Sequence, residues 1–122
     1  MPTLLKPLLI AMRATAVVAL LLGILVWTGR PLPWRSVHMG VGLLLGVLLL
    51  ALSVVVVRAT GRASAVVIAL VWTVLLVAYG IGHASLWPGS MHWIAQVLHL
   101  LVGLATLGIA ERLAARTRRA TA

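Results

Sequence analysis

The chain has no cysteine and, in 122 residues, a single acidic side chain, Glu111. Without cysteine there are no disulfides, no thiolate metal sites and no cysteine nucleophiles. With one carboxylate there is no pair for glycoside-type acid and base work and no Ser-His-Asp arrangement. Small four-span exporters that exchange protons for substrate need a carboxylate at membrane depth, and Glu111 stands at the far end of the last apolar segment. That class is disfavoured, and any proton handling falls to histidine.

Apolar residues dominate what remains. The chain is 63% hydrophobic and 9% charged, with a mean hydropathy of +1.19. That composition belongs to an integral membrane protein. The length leaves no room for a soluble domain beside the apolar segments, so residues 1–122 read as one transmembrane domain. A net charge of +9 would suit nucleic acid if it lay on one soluble face. Here the ten basic residues are spread between apolar runs and read as topology signals, with no nucleic-acid partner.

Four spans of near 20 residues or more, the length a bilayer requires, are expected over 8–28, 34–57, 63–86 and 91–113. The first follows a short basic leader. It is longer than a secretory apolar core and ends Val26-Trp27-Thr28-Gly29-Arg30 without a small-residue cleavage site, so it reads as a retained span. Arg13 inside it is read as snorkelling to the interface. Pro31-Leu32-Pro33 breaks the helix. Arg58-Ala59-Thr60-Gly61-Arg62 and Trp87-Pro88-Gly89-Ser90 supply the next two turns. The fold class expected is an all-α integral membrane four-helix bundle, up-down-up-down.

With both termini cytoplasmic, Lys6, Arg13, Arg58, Arg62, Arg112, Arg116, Arg118 and Arg119 lie inside and only Arg30 and Arg35 outside. The positive-inside rule favours that orientation, in the cell inner membrane. Trp27, Trp34, Trp87 and Trp93 then fall at the outer interface, where amphipathic rings sit. His38, His83 and His92 share the outer half, and His99 lies about two helical turns below His92.

The organising motif is His-x-x-Val-Gly-Leu, which occurs at His38–Leu43 and again at His99–Leu104, 61 positions later. Ionisable side chains at membrane depth mark functional sites. The residue at i+4 shares a helix face with residue i, so Gly42 and Gly103 put bare backbone beside each histidine. Gly46 and Gly108 follow close behind. Polar stripes His92, Gln96, His99 and Gly103 on the fourth span, and His38, Gly42, Gly46 and Ser53 on the second, are expected to face the bundle interior. Trp72, Tyr79 and His83 on the third span have compatible spacing, with Trp72, Tyr79 and Gln96 read as core.

Inward histidines on two antiparallel helices are a scaffold for a haem b held by one imidazole from each side. The internal repeat selects His38 and His99 as the axial pair, related by a pseudo-two-fold axis along the membrane normal. Depth counted from the preceding prolines favours His92 over His99, since His38 and His92 lie five and four residues in and His99 eleven. Arg35 and Arg30 are candidate partners for the propionates. His83 with His92 is the alternative site, for zinc or copper. The expected role is one-electron transfer with a quinone or a redox protein as partner. The alternative is a non-catalytic subunit packing through Gly40, Gly42, Gly46, Gly103 and Gly108 onto a second copy or a larger membrane complex.

This layout, with His38 in the outer half of the second span and His99 in the fourth followed by small residues, resembles one four-helix half of the haem A synthase family. It is also similar in outline to small bacterial b-type membrane cytochromes. The resemblance implies haem binding within an oxidoreductase or electron-transfer component. Haem A synthases carry an acidic residue one turn before the first of these histidines. Trp34 or Arg35 stands there in this chain, so the resemblance implies haem binding without the synthase chemistry.

Overall fold

A computed structural model describes residues 3–29 and 33–121. Four long helices account for nearly all of them: α1 (Leu5–Trp27), α2 (Pro33–Thr60), α3 (Ser64–Gly82) and α4 (His92–Ala120). All four are long and apolar enough to cross a membrane. The turn read at Pro31-Leu32-Pro33, and Arg30 before it, lies outside the described residues except for Pro33. Pro33 opens α2, where a missing N–H costs nothing.

The ends of the helices differ from the expected spans in ways the local chemistry explains. Helix α2 continues through Arg58 to Thr60, and Gly61, at φ +69°, ends it in the left-handed conformation that glycine tolerates. Helix α4 continues past Leu113 through the arginine tail, because alanine and arginine are strong helix formers. Helix α3 stops early, at Gly82, and passes into a 3-10 turn, His83–Ser85. A second 3-10 turn, Gly89–Met91, leads directly into His92 as the first residue of α4.

The two diagonals of the bundle differ in their contacts. Helix α2 touches α1, α3 and α4, and α4 also touches α1 and α3, whereas no contact joins α1 to α3 among the described residues. Helices α2 and α4 therefore meet along the short diagonal, with α1 and α3 on either flank. The core is confined to the end that carries the termini. It is built from Leu5, Leu9 and Met12 of α1, Leu45 to Val56 of α2, Ala65 and Ala69 of α3, and Ala110 to Ala114 of α4. Toward the opposite end, only Leu22, Leu76 and Ala95 are buried among the described residues, outside that cluster. The histidines lie in this sparsely packed half.

Two contacts lock the packed half. A Cβ on Gly46 would stand 2.8 Å from the Thr73 methyl, so α2 and α3 approach as closely as they do only because position 46 has no side chain. Threonine is stiff about χ1 and cannot swing clear cheaply. Gly46→Ala is therefore expected to destabilise the bundle by about 1–3 kcal/mol, read as a lower thermal transition in detergent by circular dichroism. Arg13, read from sequence as a snorkelling residue, instead donates from Nε to Glu111 Oε1 at 2.6 Å, joining α1 to α4. The pair is partly exposed and has the character of a tether between the first and last helices more than of a source of stability.

Candidate functional site

The crossing of α2 and α4 brings His38 and His99 together edge-on. Their Nε2 atoms stand 3.5 Å apart, with ring centroids at 5.8 Å and ring planes at 70°. The two rings meet despite the depth mismatch counted from the prolines, and a second 3-10 turn precedes α4. It delays the start of α4 to His92, so His99 is seven residues into its helix against five for His38. His92 does not face His38. Its Nδ1 donates to the Leu86 carbonyl at 3.1 Å.

The rest of the cluster stacks on His99. His83 lies parallel to it at 4.5 Å between centroids and 3° between planes, Tyr79 lies at 6.1 Å and 17°, and His92 stacks on the far side of His83 at 6.4 Å. Tyr79 donates to the Ala95 carbonyl at 3.2 Å, which ties the α3 ring to the α4 backbone. His83 Nδ1 donates to the Gly80 carbonyl at 2.9 Å. A carbonyl only accepts, so the proton sits on Nδ1 in both His83 and His92 and leaves each Nε2 lone pair free. Imidazole lone pairs lie in the ring plane. His83 and His92 lie nearly parallel, at 16° between planes, and no group of three or more metal-binding side chains occurs among the described residues.

Polar atoms in the central pair are poorly satisfied by the protein itself. Nδ1 of His38 and Nδ1 of His99 are both buried without a hydrogen-bond partner. The Nε2 to Nε2 separation of 3.5 Å is longer than a good N–H···N bond, which lies at roughly 2.7–3.2 Å. Each orphaned buried group costs about 1–3 kcal/mol. As a helix–helix hydrogen bond the pair is therefore a poor bargain.

As a pair of ligands it fits better. An imidazole nitrogen binds a first-row metal ion at roughly 2.0–2.1 Å, so two of them opposed across one ion stand roughly 4 Å apart. That separation is about half an ångström more than the pair shows, in a half of the bundle with few buried side chains. The donor set, two neutral nitrogens with no carboxylate or thiolate nearby, suits an axial pair and not a tetrahedral structural site.

The remaining expected residues are placed as follows. A Cβ on Gly42 or on Gly103 would meet no atom within 4 Å, so no other helix of this chain covers the bare backbone at either position. Arg35 lies one turn before His38 and is exposed; Arg30 lies outside the described residues. Trp72 sits one layer below the histidines, against the core, and donates to Thr106 Oγ1 at 2.8 Å.

Two residues were not singled out by the sequence. A Cβ on Gly23 of α1 would come within 3.2 Å of His38 Cε1, and one on Gly80 of α3 within 3.5 Å of His99 Cε1. Each imidazole thus rests on a glycine of a flanking helix. A glycine in an otherwise bulky apolar span was the available signal. No protein-family model, curated protein or solved structure matches this chain. Its side chains alone carry the functional reading.

Proposed function

We propose that this protein is a b-type membrane cytochrome that holds a haem b between His38 of α2 and His99 of α4. The observation that carries the reading is the opposition of the two Nε2 atoms at 3.5 Å, in a half of the bundle with little core of its own. Bound haem iron supplies reversible one-electron chemistry, its potential set by axial ligands and burial. His38 and His99 bind through Nε2. Gly23 gives the His38 ring room, and Tyr79 with His83 hold the His99 ring by stacking. Open backbone at Gly42 and Gly103 provides clearance for a flat group, and Arg35 is the described cation placed to meet a propionate.

The orientation we propose has both termini cytoplasmic in the cell inner membrane, which sets the histidine half toward the outer face. A quinone or a redox protein on that side is the electron partner consistent with the site's position. A second reading, a non-catalytic packing subunit, draws on one observation: a Cβ at Gly40, Gly42, Gly103 or Gly108 would meet nothing within 4 Å among the described residues. Small residues on lipid-facing helices favour association with another copy or a larger neighbour.

The deciding measurement is a reduced-minus-oxidised visible spectrum of detergent-purified protein expressed with haem supply. A sharp α band and a shifted Soret peak at near-stoichiometric haem are expected. A protein that stays colourless after haemin is added would abandon the cytochrome reading for the packing subunit.

A further inference from the structure

A cleft of about 50 Å³ opens at the end of the bundle remote from the histidines, where the C-terminal turn of α2, the start of α3 and the tail of α4 diverge. Its lining is divided by chemistry. Arg62, Arg116, Thr60 and Ser64 supply charge and hydroxyls, while Ile68 and Leu113 supply an apolar wall. Ile68 is 43% exposed, so that wall continues onto the surface that faces lipid.

No acidic side chain is left to neutralise the two arginines. The single carboxylate side chain of the chain, Glu111, is engaged by Arg13 on the α1 side of α4. A cationic mouth above an apolar wall, at the depth where helices leave the hydrocarbon, matches an anionic lipid and not a neutral one. Basic clefts between spanning helices bind such headgroups. Arginine holds a phosphate oxygen pair by its forked donors.

We propose that the Arg62–Arg116 cleft binds the phosphate of an anionic phospholipid, with the first part of an acyl chain along Ile68. This site is independent of the haem reading. A free phosphate would use the same two guanidinium groups without the apolar wall.

The test uses the full-length protein in detergent, titrated with phosphatidylglycerol or phosphatidylcholine and read by native mass spectrometry. Each guanidinium in contact with the headgroup phosphate favours anionic lipid by roughly five-fold. Arg62→Ala with Arg116→Ala is therefore expected to lower phosphatidylglycerol retention by roughly thirty-fold. The matched double variant Arg118→Ala with Arg119→Ala should change it by less than two-fold. Arg62→Lys with Arg116→Lys keeps the charge and should keep most of the binding. Equal losses in the two alanine pairs, or no preference for phosphatidylglycerol over phosphatidylcholine, would overturn the site. Full displacement of the lipid by millimolar inorganic phosphate would overturn it in favour of a free-phosphate site.

Discussion

Alanine at position 99 is expected to abolish the low-spin haem spectrum, and alanine at position 38 to do the same, while His92→Ala leaves the α band in place. The contrast follows from geometry: His38 and His99 oppose their Nε2 atoms, whereas His92 is tied to the Leu86 carbonyl and reaches the cluster only through His83. Loss on His92→Ala with His99→Ala silent would reverse the ligand assignment. Stability of the haem-free protein gives a second readout of opposite sign for the two roles. If the histidines were structural hydrogen-bond partners, His99→Ala would lower the melting temperature of the apoprotein. As ligands without their metal they leave buried nitrogens orphaned, at about 1–3 kcal/mol each, so apo His99→Ala should melt at the same temperature or higher.

Gly23→Leu should also empty the site, without touching a ligand. Even a methyl at position 23 comes within 3.2 Å of His38 Cε1. A branched side chain there displaces the ring from its axis toward His99, and ligand geometry is lost with small displacements. We expect at least a ten-fold fall in haem occupancy, with the helical circular dichroism spectrum retained, because Gly23 lies outside the packed core. Gly108→Leu is the control, at an exposed glycine in the opposite half. It should keep its haem. If Gly108→Leu instead dissolves an oligomer while Gly23→Leu leaves the protein's spectrum unchanged, the packing-subunit reading takes precedence.

Much of this architecture is legible in the chain because membrane helices announce themselves by length and composition. The pairing of His38 with His99 is legible for a different reason. The repeated His-x-x-Val-Gly-Leu marks equivalent points of two hairpins, and a repeat carries relative position that hydropathy does not. What sequence conceals is helix rotation. Helices α1 and α3 are apolar nearly all round, so no stripe tells which side of α1 carries Gly23 inward.

Sequence spacing does not reveal the glycines that the imidazoles touch. A helical side chain leans back over the turn that precedes it, so each imidazole tilts away from the glycine four residues later. It comes to rest on another helix instead, on Gly23 or Gly80. The 3-10 turn Gly89–Met91, which sets the start of α4 at His92, is likewise too short a feature for periodicity to reveal. The Arg13–Glu111 tether is invisible for a related reason, since the rotation of α1 against α4 decides whether the two side chains meet.

The one-sided placement of the core has a consequence for biogenesis. Leu5, Leu52, Ala69 and Ala114 come from all four helices and close together at the end bearing the termini. That end holds all four helices together without any contribution from the histidine half, so under the proposed cytochrome reading the haem would be loaded between α2 and α4 after the scaffold is built, as a step separate from insertion.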